Sequence, residues 1–338
     1  MTTTPAPGPR TTEPWKALAR RSTLWSSAAG LLLLLGSTAV VLSWRNDLPD
    51  PIASHWGTGP SGAPNGFMSL TQWVTTLLAI GAACIVVFGA IGWFWGKAAM
   101  TRRISAAATV WIGGLLAVVQ MAALASQRGL SDAAQAHDTS GWWLAASYVV
   151  PLVPAVAAAV LVPGDAPQST TARVPANAAR VALADGERAV WIRRTGGGPG
   201  LRVGAAAIVL MLVLAILTRM WGLLAVPVLL AVLFASMMVF EVRVDATGLA
   251  VRSAIGWPRT FIPADEVVAA SSTTVHSFKE FGGWGWRVGR DGRVGIVPRS
   301  GEALLVERTG GRSLVVTVDD SETGAAVLNT LADRIRNG

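Results

Sequence analysis

Two short segments carry the residue types best suited to chemistry, His55-Trp56 and His137-Asp138. Two imidazoles and a carboxylate are a ligand set that Zn²⁺ uses in proteins. The two histidines have no fixed spacing, however, so the sequence predicts no metal site. The alternative interpretation is that hydrogen bonds of His55 fix a loop, while Trp56 lies at a membrane interface. The carboxylates expected on the same side are Asp47, Asp50 and Asp132.

Other reactive groups are scarce. The single cysteine, Cys84, lies in an apolar run and cannot form an internal disulfide. The glycine run at 196–200 lacks the Lys-Ser or Lys-Thr pair of a phosphate-binding loop, so it predicts a flexible linker. The long apolar runs contain no Asp, Glu, Lys or His, which ion-coupled transporters usually place there. The sequence therefore predicts neither an enzyme nor a bound cofactor.

The composition indicates a membrane protein. The 338 residues are 52% hydrophobic but only 14% charged, whereas an average soluble domain has roughly 25% charged residues. This charge deficit excludes an ordinary soluble enzyme and extensive disorder. A net charge of +8 in a soluble chain would suggest nucleic-acid binding. Here many of the basic residues flank apolar segments, so we expect no nucleic-acid partner.

The apolar segments predict an integral membrane α-helical bundle of about six transmembrane helices, because one crossing requires about 20 apolar residues. Four uncharged runs cover residues 24–44, 73–95, 104–126 and 142–162. Residues 203–240 are too long for one crossing and predict a hairpin that turns near Arg219. Prolines predict bends in the fourth helix, at Pro151 and Pro154, and in the sixth, at Pro227.

The distribution of lysine and arginine predicts the orientation. With a cytoplasmic N-terminus, the tail and inner connections hold thirteen of these residues and the outer loops hold three. We therefore expect a multi-pass protein of the cell membrane with both termini in the cytoplasm. The segments are a disordered basic tail (1–22), a four-helix region (23–163) with an outer loop (45–70), a cytoplasmic linker (164–200), a transmembrane hairpin (201–240) and a C-terminal domain (241–338).

The sequence of the C-terminal domain predicts short strands separated by turns. Alternating apolar residues predict eight strands, and Asp291-Gly292 predicts a hairpin turn. Residues 321–335 predict a helix with an apolar stripe of Val327, Leu328, Leu331 and Ile335, capped by Asp320 or Ser321. We expect a small β-barrel or sandwich that this helix closes.

The outer loop resembles the domain-of-unknown-function 1648 family. The residues that carry the resemblance are 48–56, Gly59 and Asn65-Gly66, with Asn65 where the family usually has an aspartate. Some members are similar to the immunity and signalling membrane protein of the sporulation-delaying toxin system, which implies binding rather than catalysis. The resemblance implies a ligand-binding loop composed of Pro49, Ile52, His55, Trp56, Gly59, Asn65 and Gly66.

The domain at 241–338 resembles bacterial pleckstrin-homology-like domains. The resemblance lies in residues 242–253, 256–259, 262–267 and 283–287 and in the terminal helix. It implies a β-fold closed by a helix. The pairing of the two families in a chain rich in Ala, Gly and Arg suggests an actinobacterial protein. Four arginines predict a contact with the inner leaflet, with a solvated hairpin as the alternative; they are Arg287, Arg290, Arg293 and Arg299.

These features together predict a non-enzymatic binding, signalling or immunity-type protein. Its partners would be the lipid bilayer, an extracellular peptide or envelope ligand at the outer loop, and a cytoplasmic protein at the inner domain. The alternatives are a channel or facilitator for a small solute, which would use the uncharged bundle, and a structural envelope scaffold.

Overall fold

The computed structural model describes residues 14–56, 63–137, 141–184 and 186–337. The chain divides into two compact units. The first comprises residues 1–138 and 150–165, and the second comprises residues 139–149 and 166–338. Long apolar helices occur in both units, whereas the C-terminal strands and the helix that closes them belong to the second.

Within the described residues, six helical segments are long and apolar enough to cross a membrane. The first three are α1 (Pro14–Ser43), α2 (Leu70–Trp95) and α3 (Ala99–Ala125). The fourth is formed by α4 (Gly141–Val149) and α5 (Leu152–Leu161). The last two are α6 (Gly198–Thr218) and α7 (Ala225–Met238), the latter preceded by a 3-10 turn at Trp221–Leu224. These segments fit the predicted multi-pass membrane protein.

Helix α1 begins earlier than its apolar run. The predicted disordered tail covers residues 1–22, but Pro14–Ser43 is one helix of 30 residues. Its charged first turns extend the helix beyond the apolar stretch, and the Arg20 guanidinium lies 5.3 Å from the ring centroid of Trp93. The tail prediction is therefore wrong for residues 14–22, and its residues 1–13 lie outside the described part of the chain.

Helices α1 and α3 pack with their backbones in contact. A Cβ added to Gly113 would overlap the carbonyl oxygen of Gly30, and one added to Gly30 would lie 2.8 Å from the carbonyl oxygen of Thr109. Small residues allow this approach in membranes, where packing and hydrogen bonds hold helices together. The buried Gln120 of α3 adds such a bond, because its Nε2 donates to the carbonyl oxygen of Leu34 at 3.3 Å.

Prolines and one left-handed residue divide the later apolar segments. The break between α4 and α5 lies at Val150-Pro151, as the prolines predict. Arg219 follows α6 with φ +55° and reverses the chain at the predicted hairpin turn. Pro227 lies in the first turn of α7, where its missing N–H breaks no helical hydrogen bond.

A buried ion pair ties the ends of α2, α3 and α5. The fully buried Arg102 side chain donates to Asp165 Oδ1 at 3.0 Å and to the carbonyl oxygens of Gly96 at 2.9 Å and Pro163 at 3.2 Å. Asp165 Oδ2 accepts from the backbone N–H of Ala99 at 3.1 Å, which caps α3. A buried charge without its partner is strongly destabilising, so these bonds fix the helix ends relative to one another.

The described strands fall into three sheets. In the first unit, β1 (Ile52–Trp56) and β2 (Pro64–Met68) form an antiparallel hairpin. In the second unit, one sheet is antiparallel with the order β3-β4-β5-β6, and the other is mixed with the order β7-β10-β11-β9-β8. The bounds of these strands are β3 (Trp191–Thr195), β4 (Phe240–Asp245), β5 (Gly248–Ser253), β6 (Arg259–Pro263), β7 (Val267–Val275), β8 (Trp286–Val288), β9 (Val294–Ile296), β10 (Gly301–Arg308) and β11 (Arg312–Thr317).

All eight strands predicted after residue 240 are present in the described residues, and Asp291-Gly292 lies in the turn between antiparallel β8 and β9. Of the two predicted forms, a barrel or a sandwich, the closed barrel is wrong. Within residues 141–184 and 186–337, each of the two sheets ends in two edge strands, β3 and β6 in one and β7 and β8 in the other. Two helices complete this region, α8 (Ser277–Phe281) and the closing helix α9 (Ser321–Asn337).

The segment predicted as a linker, 164–200, contributes to the C-terminal fold. Its strand β3 pairs with β4, from Trp191 opposite Val244 to Thr195 opposite Phe240. Earlier in the segment, the backbone N–H of Val181 donates to the side chain of Thr330 in α9 at 3.1 Å. Much of this segment is therefore structured, because residues far along the chain supply its hydrogen-bond partners.

Helix α9 packs against strands of both sheets, β7 and β10 in one and β4 and β5 in the other. Its predicted apolar stripe is buried at Val327, Leu328 and Leu331, whereas Ile335 near the end is 47% exposed. The fully buried Asn329 accepts from the backbone N–H of Ala270 at 2.8 Å and donates to the carbonyl oxygen of Ala270 at 2.9 Å. This amide fixes the helix against β7.

The start of α9 is held by a glutamate of β10. Glu302 Oε1 accepts from the backbone N–H of Ser321 at 2.6 Å and from its hydroxyl at 2.8 Å. Asp320, the predicted cap, accepts at Oδ1 from the Thr323 hydroxyl at 2.5 Å. These bonds satisfy polar groups that a helix start leaves without helical partners.

The contact between α1 and α3 gives a first prediction. We expect Gly30→Ala to destabilise the protein by about 1–3 kcal/mol, because the new methyl group meets the backbone of α3. Gly36→Ala on the same helix is the control, since its Cβ would meet no atom within 4 Å. Thermal stability of the two purified variants in the same detergent measures the difference. Equal stability would contradict the proposed close packing.

The bonds at Glu302 give a second prediction. The hydrogen bond from the Ser321 hydroxyl lowers the pKa of Glu302 below its ordinary value. A carboxylate with a lowered pKa stabilises the fold fully above its unfolded pKa of about 4.3, and this contribution is lost as the pH falls through the folded value.

We therefore expect Glu302→Gln to lower the free energy of unfolding by about 1 kcal/mol near pH 7, with a smaller deficit below about pH 4. Thermal unfolding of the full chain at both pH values measures the effect. The control is Glu307→Gln, which removes the same charge from an exposed position of the same strand. A deficit that is equal for both variants, or independent of pH, would refute the role of Glu302.

Candidate functional site

The candidate site is the β1–β2 hairpin together with the segment that follows α3. The hairpin register runs from Ile52 opposite Met68 to Trp56 opposite Pro64, with irregular pairing around His55. Residues 57–62 at its tip, including the predicted site residue Gly59, lie outside the described part of the chain. The other predicted residues of the loop are described, and the hairpin brings His55 and Trp56 of β1 close to Asn65 and Gly66 of β2.

The start of β1 is buried on both faces of the hairpin, because consecutive residues of a strand point to opposite sides. Ile52 is fully buried in a cluster with Val41 of α1, Val74 of α2 and Leu124 of α3. Ala53 is also fully buried and packs against Ala133 in a 3-10 turn. The hairpin therefore closes one end of the three-helix bundle, and predicted residue Ile52 serves packing instead of ligand contact.

Gln127, just after α3, holds the hairpin through its side-chain amide. The backbone N–H of Ala53 donates to Gln127 Oε1 at 2.7 Å, and Gln127 Nε2 donates to the carbonyl oxygen of Ala53 at 2.8 Å. Gln127 is fully buried, and its Nε2 also donates to the carbonyl oxygen of Ala123 at 3.0 Å. We call this pair of bonds to Ala53 the Gln127 clamp. It satisfies peptide groups that would otherwise be buried without partners.

Beyond Ala53, the hairpin presents polar and aromatic groups. His55 Nδ1 lies 2.5 Å from Asn65 Oδ1, and both side chains are exposed. In the tautomer with a proton on Nδ1, His55 donates to this oxygen. A Cβ on Gly66 would lie 2.9 Å from the Cβ of His55, so the glycine allows the two strands to approach here. Trp56 Nε1 donates to the carbonyl oxygen of Ala136 at 3.3 Å.

A cavity of about 260 Å³ lies beside the hairpin. Its lining combines three rings, from Pro49, Pro51 and Phe67, with the carboxylates of Asp50 and Asp132. Phe67 is 45% exposed. The predicted site included Pro49 but not Phe67 or the residues after α3, because their proximity depends on contacts between distant segments of the chain.

An arginine fixes the segment that carries Asp132. Arg128 Nη2 lies 3.2 Å from Asp47 Oδ2, and its guanidinium lies 4.8 Å from the ring centroid of Trp44. The backbone N–H of Gly129 donates to the carbonyl oxygen of Asp47 at 2.7 Å. The ion pair is exposed and contributes little by itself, but the three contacts together orient the segment toward the hairpin.

No group of three or more His, Cys, Asp or Glu side chains could hold a metal ion, within the residues that the structure describes. His137 is exposed, and Asp138 lies outside the described residues. His55 contacts Asn65, an amide, where a metal site would need a further ligand such as a carboxylate.

The four arginines predicted to contact the inner leaflet differ in their partners. Arg293 pairs with Asp291 at 2.5 Å and with Glu280 at 3.1 Å, and Arg299 pairs with Asp319 at 2.5 Å. Exposed Arg287 donates from Nε to the carbonyl oxygen of Trp284 at 2.8 Å, and Arg290 is exposed. Ion pairs thus offset part of the predicted positive charge, and the lipid contact of this hairpin stays a prediction.

The Gln127 clamp gives a third prediction. We expect Gln127→Ala to leave the peptide group of Ala53 buried without partners and to cost about 2 kcal/mol. Hydrogen exchange of peptides that cover β1 should become about thirtyfold faster, the factor that corresponds to this free energy. The matched control is Gln135→Ala, which replaces an exposed glutamine of the same segment after α3. If both variants protect β1 as well as the original chain does, the clamp does not hold the hairpin.

The comparisons with known proteins found no relatives. No protein-family model, no curated protein and no solved structure matches this chain. The resemblances of the outer loop to the domain-of-unknown-function 1648 family and of residues 241–338 to pleckstrin-homology-like domains therefore stay predictions. The function has to be inferred from the contacts, burial and charges of the chain itself.

Proposed function

We propose that this chain is a non-enzymatic binding and signalling protein of the cell membrane, which recognises a ligand through the β1–β2 hairpin and holds a partner through its C-terminal domain. The observation that carries the proposal is the Gln127 clamp together with the burial of Ile52 and Ala53. Binding loops are commonly positioned by a rigid scaffold, and the clamp holds this hairpin in that way.

The exposed surface of the hairpin suits a peptide or another envelope component. It combines the His55–Asn65 pair with the proline and phenylalanine rings and the two carboxylates of the adjacent cavity. Such a mixture offers apolar contacts and hydrogen bonds at several points, as peptide-binding surfaces do. An immunity-type role, in which the ligand is a toxic peptide, is one form of this proposal.

The C-terminal domain is the proposed partner-binding element, of pleckstrin-homology-like type. Its two sheets and closing helix support this, and the outer face of the four-stranded sheet exposes Ile192 and Phe261. The proposed orientation, with both termini in the cytoplasm, is supported by the excess of lysine and arginine in the inner connections.

The alternative of a channel has no specific support in the first three helices. The Gly30–Gly113 contact brings α1 and α3 together, and Gln120 fills the adjacent space with its hydrogen bonds to α1. A passage between these two helices would have to separate them.

The fourth prediction tests the outer surface. A photoreactive benzoylphenylalanine replaces Phe67 in the full chain, and native membranes are irradiated. We expect an adduct of defined mass, because Phe67 is exposed beside the cavity. The control replaces Val86, which is 67% exposed on α2 and lies about 24 Å along the helix from its first residue, Leu70, next to the hairpin.

A second arm adds His55→Ala and Trp56→Ala to the Phe67 probe. These changes remove the bonds to Asn65 and Ala136, so the adduct should fall about tenfold while membrane levels stay equal. The proposal fails if Phe67 gives no adduct, if Val86 gives the same adduct, or if the double substitution leaves the yield unchanged.

A further inference from the structure

Three arginines and a glutamate form one row across the four-stranded sheet, which we call the arginine row. The register places Arg194 opposite Glu241, Glu241 opposite Arg252, and Arg252 opposite Arg259. Directly opposed residues on neighbouring strands share a face of the sheet, and all four are exposed. Arg194 Nε lies 3.8 Å from Glu241 Oε2, a long and exposed pair. The row therefore presents an excess of positive charge.

The row lies next to the end of α7. Only Val239 separates Met238, the last residue of α7, from Phe240, the first residue of β4. At about 3.3 Å per residue, Glu241 lies within about 10 Å of the end of the candidate membrane span. The headgroup layer adds about 5–7 Å on each side of the hydrocarbon core. The sheet thus begins at the level of the lipid headgroups.

The turn after β5 also lies at the level of the lipid headgroups. The backbone N–H of Ala254 donates to the carbonyl oxygen of Val239 at 2.9 Å, which fixes the turn beside the end of α7. In this turn Ile255 is 53% exposed and Trp257 is 40% exposed. Tryptophan is enriched at membrane interfaces, where an apolar ring and a polar N–H are both accommodated. The turn carries the residue types of an interfacial contact.

A cavity of about 460 Å³ opens between the row and this turn. Two arginines and one glutamate line it, Arg194, Arg252 and Glu241, so the lining carries a net positive charge. The other lining residues are Val239, Phe240, Ser253 and Ala254. Guanidinium groups bind phosphate oxygens through paired, charge-assisted hydrogen bonds. Cationic and apolar groups in one cavity match a lipid phosphate and the first part of its glycerol.

We propose that the cavity and the arginine row bind phosphate groups of anionic lipids in the leaflet at which α7 ends, while Ile255 and Trp257 enter the interface. This surface differs from the predicted lipid contact of Arg287, Arg290, Arg293 and Arg299. The proposal applies on either side of the membrane, because it depends only on the position of the row relative to α7. The level of the row relative to α7 favours lipid over a protein partner, because a protein would have to displace headgroups to reach it.

The fifth prediction uses spin labels on the full chain. Cys84→Ala removes the single cysteine, and one cysteine is then placed by Ile255→Cys or by Ala246→Cys. Ala246 is exposed in the turn at the other end of β4 and serves as the control. In nanodiscs, the collision rate of each label with oxygen is compared with its collision rate with a water-soluble nickel complex. Oxygen concentrates in the bilayer and the nickel complex stays in water, so the ratio of the two rates measures the depth of the label.

We expect the label at Ile255 to favour oxygen and the label at Ala246 to favour nickel. Replacing phosphatidylcholine by a three-to-one mixture with phosphatidylglycerol should increase the oxygen preference at Ile255, because each basic residue near an anionic surface contributes about fivefold in affinity. Arg252→Gln with Arg259→Gln should abolish this increase. Arg252→Lys with Arg259→Lys should keep most of the increase. The control Arg173→Gln with Arg188→Gln should keep all of the increase.

Two results would overturn the proposal. If the label at Ile255 is as accessible to nickel as the label at Ala246, the turn lies in water or under a protein partner. If phosphatidylglycerol acts equally on the chain with and without Arg252 and Arg259, the row does not bind anionic headgroups. Equal elution of all variants in size-exclusion chromatography verifies that the substitutions leave the fold intact.

Discussion

The peptide groups of edge strands have to find hydrogen-bond partners where burial excludes water, and this constraint organises both units. In the first unit the amide of Gln127 makes two bonds to the peptide groups of Ala53. In the second the amide of Asn329 makes the same two bonds to Ala270. Each side-chain amide makes the pair of hydrogen bonds that a residue of a neighbouring strand would make. Gln127 thereby fixes β1 at the end of α3, and Asn329 fixes β7 against α9. Apolar burial alone would hold these elements together but would leave their register free.

The two proposed binding surfaces follow from this organisation and have different chemistry. The hairpin of the first unit exposes an imidazole–amide pair and rings beside carboxylates. The sheet of the second unit exposes arginines beside a tryptophan and an isoleucine. Each surface combines segments that are distant in the chain and is held by polar bonds beneath it. Binding at either place can therefore occur without reorganising the fold, which limits the entropic cost of binding.

Much of the fold could be predicted from the sequence, because its main signals are local. Apolar runs of bilayer length located the long helices, and Pro151 and Arg219 marked a break and a turn. Alternating residues and Asp291-Gly292 located the C-terminal strands. The failures involve distant partners. Strand β3 is short and lies in a region rich in Ala, Pro and Gly, so only its pairing with β4 identifies it. The separation into two sheets likewise depends on long-range pairing.

The candidate site shows the same limit. His55, Trp56, Asn65 and Gly66 could be predicted because they lie in one short loop. Gln127 could not, because a glutamine after a helix has many possible roles, and its bond to Ala53 spans 74 positions. Phe67 and Asp132 share a cavity only because the segment after α3 folds back over the hairpin.

The hairpin of α6 and α7 is inserted between two adjacent strands of one sheet, since Thr195 before it pairs with Phe240 after it. Both strands must therefore reach the same compartment. A chain in which only one arm entered the bilayer would leave β3 and β4 on opposite sides of the membrane. During synthesis β3 emerges before α6 and α7, and it stays unpaired until both helices are inserted and β4 has followed. The C-terminal domain can therefore complete its fold only after correct membrane insertion. A misinserted chain exposes unpaired strands, which makes it a substrate for cellular proteases.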